Sequence, residues 1–134
     1  MHVHTLRLLP GQDLRSELEN LCTHHQISAG IVLTAVGSLR TASLRFAGAD
    51  QPSVRMGPFE ILALSGLLSL DGVHLHLTIS DSGGKVSGGH LTTGCEVFTT
   101  AEIAIGVVSD TVYLRKHDEA TGYKELVVRR KVRK

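Results

Sequence analysis

The chain has 134 residues, of which 42% are hydrophobic and 20% charged, a composition that excludes a disordered or low-complexity protein and suits a single core in a single domain, residues 1–134. Its net charge is +1, but Arg129, Arg130, Lys131, Arg133 and Lys134 hold five of the fourteen basic groups, which leaves residues 1–128 with nine bases against thirteen acids. An acidic body excludes a broadly basic nucleic-acid surface and confines the candidate nucleic-acid contacts to the basic tail, 129–134.

Residues 2–9 alternate loosely and stop at Pro10-Gly11, which predicts a first strand ending in a turn. The period then changes. In Asp13–Gln26 the apolar residues Leu14, Leu18, Leu21 and Cys22 fall at i, i+4, i+7 and i+8, one face of a helix whose polar side carries Arg15, Glu17 and Glu19. His24 and His25 close it, where cationic groups suit the helix dipole.

Beyond Ile27 the runs 31–36, 39–46, 59–70, 73–80, 97–108, 111–116 and 124–128 read as strands. Gly37-Ser38, Asp71-Gly72, Ser82-Gly83-Gly84, Gly88-Gly89 and Thr121-Gly122 are read as the turns between them. The runs 61–68 and 103–108 are apolar at both odd and even positions, so both faces of each strand need cover. One helix cannot supply it, so the cover is expected from a second layer of the chain's own sheet or from another subunit, the latter favoured in so small a domain. Glu60 and Glu102 stand in these apolar surroundings as candidate interface salt links.

Cys22 and Cys95 have no second cysteine nearby, which argues against a zinc ribbon or a redox pair. Nothing at the start of the chain reads as a secretory signal, and no apolar run approaches about 18 residues, so a cytoplasmic location without membrane contact is expected. Ser82-Gly83-Gly84-Lys85 lacks the full spacing of a phosphate-binding loop and is read as a hairpin turn.

The chemistry concentrates at Val73–Ser80. Val73, Leu75, Leu77 and Ile79 alternate with His74, His76, Thr78 and Ser80, so the two imidazoles leave one face of one strand, roughly 6–7 Å apart. After a tight turn, Gly88-Gly89-His90 can return a third imidazole to that face, the glycine pair allowing close backbone approach. Three neutral imidazoles and a water make an open site of the catalytic zinc type, and other divalent transition metals accept the same ligands.

Four motifs carry a likeness to a known family. Arg7-Leu8-Leu9-Pro10-Gly11 ahead of Asp13-Leu14, then Val36-Gly37-Ser38-Leu39, Gly57-Pro58-Phe59-Glu60-Ile61-Leu62 and Gly88-Gly89-His90-Leu91, resemble in order and spacing the PPC domain, the plants-and-prokaryotes-conserved domain, from about His4 to Val128. The resemblance implies an α+β fold: a mainly antiparallel, twisted sheet of about seven strands with one principal helix near the N-terminus, assembled as a homotrimer. Plant members carry an AT-hook ahead of the domain, and no Arg-Gly-Arg-Pro segment occurs in this sequence. Their partner-contact motif reads Gly-Arg-Phe-Glu-Ile-Leu, whereas Pro58 takes the place of the arginine here.

The implied function is a trimeric DNA-associated or regulatory binding module, with weak DNA contact through the tail. The fold is also similar to that of acetolactate decarboxylase, a zinc enzyme with a histidine trio that includes His-x-His. That likeness points to His74, His76 and His90 as metal ligands and to an alternative function, a metal-dependent enzyme acting on a small molecule. A shared fold does not by itself establish a shared reaction.

Overall fold

The computed structural model describes residues 1–132. Arg133 and Lys134, two of the five tail cations, lie outside the described residues. Strand β1 (His2–Leu8) leads into helix α1 (Leu14–His25), and seven strands follow: β2 (Gly30–Arg45), β3 (Ser53–Ser69), β4 (Gly72–Ser80), β5 (Val86–Leu91), β6 (Val97–Val107), β7 (Thr111–His117) and β8 (Lys124–Arg130). No helix among the described residues is long and apolar enough to cross a membrane.

The helix forms where the apolar spacing places it. Asp13 is its N-cap, accepting a hydrogen bond from the Ser16 amide at 2.9 Å, and Gln26 ends it in the left-handed conformation. Leu14, Leu18 and Cys22 are buried against the sheet. They join Leu39, Leu75, Leu77, Ile79, Leu91, Ile103 and Ile105 in one aliphatic core. Burial of each such leucine or isoleucine stabilises the fold by about 1.5–3 kcal/mol.

Six strands form the main sheet in the order β1-β6-β2-β3-β4-β5, every neighbouring pair antiparallel. The C-terminal end of the long β2 also pairs with β5, Leu44 opposite Leu91 and Arg45 opposite His90. Strands β2, β3, β4 and β5 therefore close into a ring. The hairpin β7–β8 is a separate two-stranded sheet, tied down where the Tyr113 amide donates to the Ser28 carbonyl and the Arg115 amide to the Asp71 carboxylate.

Two readings of glycine are corrected. Gly37-Ser38 is not a turn: residues 30–45 form one strand, with irregular pairing to β6 between Gly37 and Leu39. Gly37 has φ +152°, and a Cβ there would collide with the Thr100 carbonyl of β6, so the glycine serves a close strand approach rather than a reversal. Gly88-Gly89 is likewise strand, inside β5, which periodicity missed because two glycines and a serine carry no apolar alternation. The turn at Asp81–Lys85 is as expected, with the Gly84 amide donating to the Asp81 carbonyl.

Of the two expected sources of cover for the sheet, the chain itself supplies part, because β7 of the hairpin contacts β3. The basic tail begins inside a strand: Arg129 and Arg130 belong to β8, opposite Val112 and Thr111. Glu60 and Glu102 are exposed in the single chain, with no ion pair among the described residues.

Gly37→Ala should destabilise the fold by about 1–3 kcal/mol, since it adds both left-handed strain and a backbone collision. Chemical unfolding measures it. Gly84→Ala is the control: its φ is also positive, but no atom lies within 4 Å of the added methyl, so the loss should be smaller.

Candidate metal centre

Strand β4 alternates as the sequence dictates. Val73, Leu75, Leu77 and Ile79 are buried, and His74 and His76 face outward. Strand β5 runs antiparallel beside it with His90 directly opposite His76. The three imidazoles therefore share one face of two adjacent strands. Their ring centroids are 5.2 Å apart for His74–His76, 5.3 Å for His74–His90 and 6.0 Å for His76–His90.

One ligand nitrogen from each ring lies within 4.8 Å of the other two, and no other histidine, cysteine or carboxylate group among the described residues converges in this way. A tetrahedral ion with nitrogen bonds of about 2.0–2.1 Å sets its ligands roughly 3.4 Å apart, a distance within reach of small rotations of the exposed His74 and His76 rings toward half-buried His90. The donor set is thus suited to zinc or a similar transition metal. Glycine makes the approach possible: a Cβ on Gly88 would press on the Leu77 carbonyl at 2.8 Å, and one on Gly89 on the Arg45 carbonyl at 3.0 Å.

Half-buried His90 is pushed down to about 4, first by burial and then by the positive field of Arg45, with His74, Arg15 and His76 adding to it. His74 is lowered too, by burial and then by Arg115 and His76, against an opposing effect of Glu125. Both rings are thereby held neutral, the form that binds metal. The thiols take no part. Burial pushes both Cys22 and Cys95 up to about 11, and the Cys95 sulfur is occupied with the backbone of Ser43.

The other candidate residues stand elsewhere. Of the Gly57–Leu62 motif in the middle of β3, Phe59 and Ile61 enter the core while Pro58, Glu60 and Leu62 stay exposed. Arg129, Arg130 and Lys131 are exposed at the end of β8. Four residues near the histidines were not singled out by sequence: Arg15 of α1, Arg45 of β2, and Arg115 and Glu125 of the hairpin. Only tertiary structure gathers them, and no local pattern marks them.

Fold and site together define an α+β domain whose outer sheet face carries a histidine trio. The family model of the Plants and Prokaryotes Conserved (PCC) domain matches residues 1–109, and the chain belongs to that family. It is 49% identical over 126 residues to the bifunctional protein GlmU of Synechococcus sp. strain JA-3-3Ab, a match covering 94% of this chain and 20% of that protein. The chain thus spans about a fifth of the length of the curated relatives it matches. A hypothetical protein from Salmonella cholerae-suis superposes with a TM-score of 0.95 at 37% identity, covering 98% of this chain and 95% of the other. A protein of Archaeoglobus fulgidus, described as metal-containing, superposes with a TM-score of 0.78 at 29% identity, covering 95% of this chain and 94% of the other.

The shift of His90 links to stability with a definite sign. Unfolded, the imidazole takes up its proton near pH 6.5, and folded it does so near pH 4, so the unfolded chain binds more protons in between. In the metal-free protein the stability that His90 contributes should be complete above pH 6.5 and fall away as pH drops to about 4. Denaturant unfolding of the wild type against His90→Asn across that window reads it. Parallel curves for the two would mean that His90 titrates normally.

Proposed function

We propose that this PCC-domain chain is a metal-binding module in which His74, His76 and His90 hold one divalent transition ion, zinc foremost, with an open coordination position toward solvent. The observation that carries the reading is the convergence of three imidazole nitrogens within 4.8 Å on the outer face of β4 and β5. It is supported by the 29% identical relative described as metal-containing. An ion bound there supplies Lewis acidity to an oxygen ligand in its open position.

Elemental analysis of protein purified without chelators should give one metal ion per chain. His76→Ala should abolish that stoichiometry and leave the fold intact, because His76 is exposed and the packing side of β4 is its apolar face. A wild-type chain that carries no metal and takes up none would end the reading.

We further propose that the working form is a homotrimer. Leu33, Val36, Met56, Leu62 and Phe98 on β2, β3 and β6 are each between 46% and 77% exposed in the single chain, more apolar surface than a monomeric sheet ordinarily shows to water. Light scattering at micromolar concentration should give three times 14.4 kDa, and a stable monomer would contradict it.

The exposed run Arg129-Arg130-Lys131 favours a second reading, weak association with DNA. Such binding should be nearly indifferent to sequence and sensitive to salt, and deleting residues 129–134 should remove it. Tight, sequence-selective binding by that variant would place recognition on another surface.

A further inference from the structure

Beside the histidines the surface sinks into a cleft of about 580 Å³ between β4, β5, the start of α1 and the hairpin β7–β8. Its walls bring three arginines together from three separate elements: Arg15 of α1, Arg45 of β2 and Arg115 of β7. All three are half-buried. Arg45 lies directly across the strand pair from His90, and the Arg15 Nη1 donates to the Leu91 carbonyl at 2.8 Å, which fixes that guanidinium beside β5.

Their other donors are poorly engaged. Arg15 reaches Glu19 at 3.5 Å on its own helix, and Arg45 reaches only the Ala49 carbonyl, at 3.5 Å. The Arg115 side chain makes no hydrogen bond or ion pair among the described residues. The Asp71 carboxylate on the same wall accepts from the Arg115 backbone amide. Lys124 adds a fourth positive charge against the three negative ones of Asp50, Asp71 and Glu125, so the cleft is net positive by one charge before any metal is bound.

Like charges held half-buried repel one another, and a guanidinium's planar donor fork matches the two oxygens of a carboxylate or phosphate. The cleft volume lies within the range of small-ligand sites. We propose that this cleft binds a small oxyanion, a carboxylate or phosphate group held by Arg15, Arg45 and Arg115, with the rest of the ligand directed at the open side of the histidine trio. The grip is built from this chain's arginines, and only the added strength given by a bound ion rests on the metal reading above. The ligand class is thus a small organic acid or phosphorylated molecule rather than a neutral or cationic one.

Calorimetric titration with malonate and with inorganic phosphate, each on chelator-treated and on zinc-supplemented protein, tests the proposal and separates the two oxyanion sources. At least one anion should bind the chelator-treated wild type with millimolar or better affinity, and Arg115→Gln and Arg45→Gln should each weaken it on the order of tenfold. Metal content should remain at the wild-type level in both variants. In the wild type alone, anion addition should shift the arginine side-chain Nε–Hε resonances of Arg15, Arg45 and Arg115, a measure independent of how the variants fold. Failure of both anions to bind either form of the protein, or unchanged affinity in both variants, overturns the proposal even if zinc is held. Arginine-dependent binding by a chain that takes up no zinc sustains it and overturns the metal reading instead.

Discussion

The site depends on β5 being paired along both of its edges, to β4 on one side and to the far end of β2 on the other. A six-residue strand containing two glycines would be a weak edge on its own. Held from both sides, its register cannot slip: a shift of one residue would turn Leu91, now fully buried, outward and His90 inward. The loop leaving β5 is pinned as firmly. Asp13 Oδ1 accepts from the amides of Gly94 and Cys95 at 2.7 and 3.0 Å, and the Thr92 hydroxyl donates to the Ser43 carbonyl at 2.8 Å. Because Asp13 is also the N-cap of α1, one carboxylate sets the helix start and the end of β5 together. Arg15, two residues further on, is thereby delivered to the Leu91 carbonyl.

What was legible in the sequence follows from periodicity. The alternation in Val73–Ser80 placed His74 and His76 on one exposed face, and the helical spacing in Asp13–Gln26 identified the buried Leu14, Leu18 and Cys22. Glycine was the weak signal. At Gly84 it marks a turn, but at Gly37 and at Gly88-Gly89 it marks crowded strand crossings, and sequence offers the same letter for both. The union of residues 30–45 into one strand was hidden by that ambiguity, as was β5 itself.

The polar half of the site was illegible for a different reason. Arg15, Arg45 and Arg115 come from a helix, a strand end and a hairpin, and each has an ordinary solvated role in its own segment. Their meeting is a product of ring closure and of the hairpin's seat on the sheet, anchored by backbone donors at Tyr113 and Arg115. Nothing in local spacing encodes a contact of this kind.

Electrostatics sets the two halves of the site in opposition. Burial first, and then the positive field of Arg45 and Arg15 at His90 and of Arg115 and Arg15 at His74, holds both rings unprotonated, and the same field disfavours a divalent ion there. Sites that only retain metal commonly do the reverse, backing each imidazole with a carboxylate or carbonyl that fixes its tautomer and raises its basicity. Among the described residues, none of the three imidazoles donates to such a partner. Three neutral ligands leave the full charge of an ion in place, and the four cations of the cleft outnumber its three carboxylates, Asp50, Asp71 and Glu125, so further negative charge entering the cleft is favoured. An oxyanion positioned between ion and arginines lowers the energy of both. If the proposed metal and anion both bind at this face, their affinities are coupled, each ligand strengthening the other by the same factor.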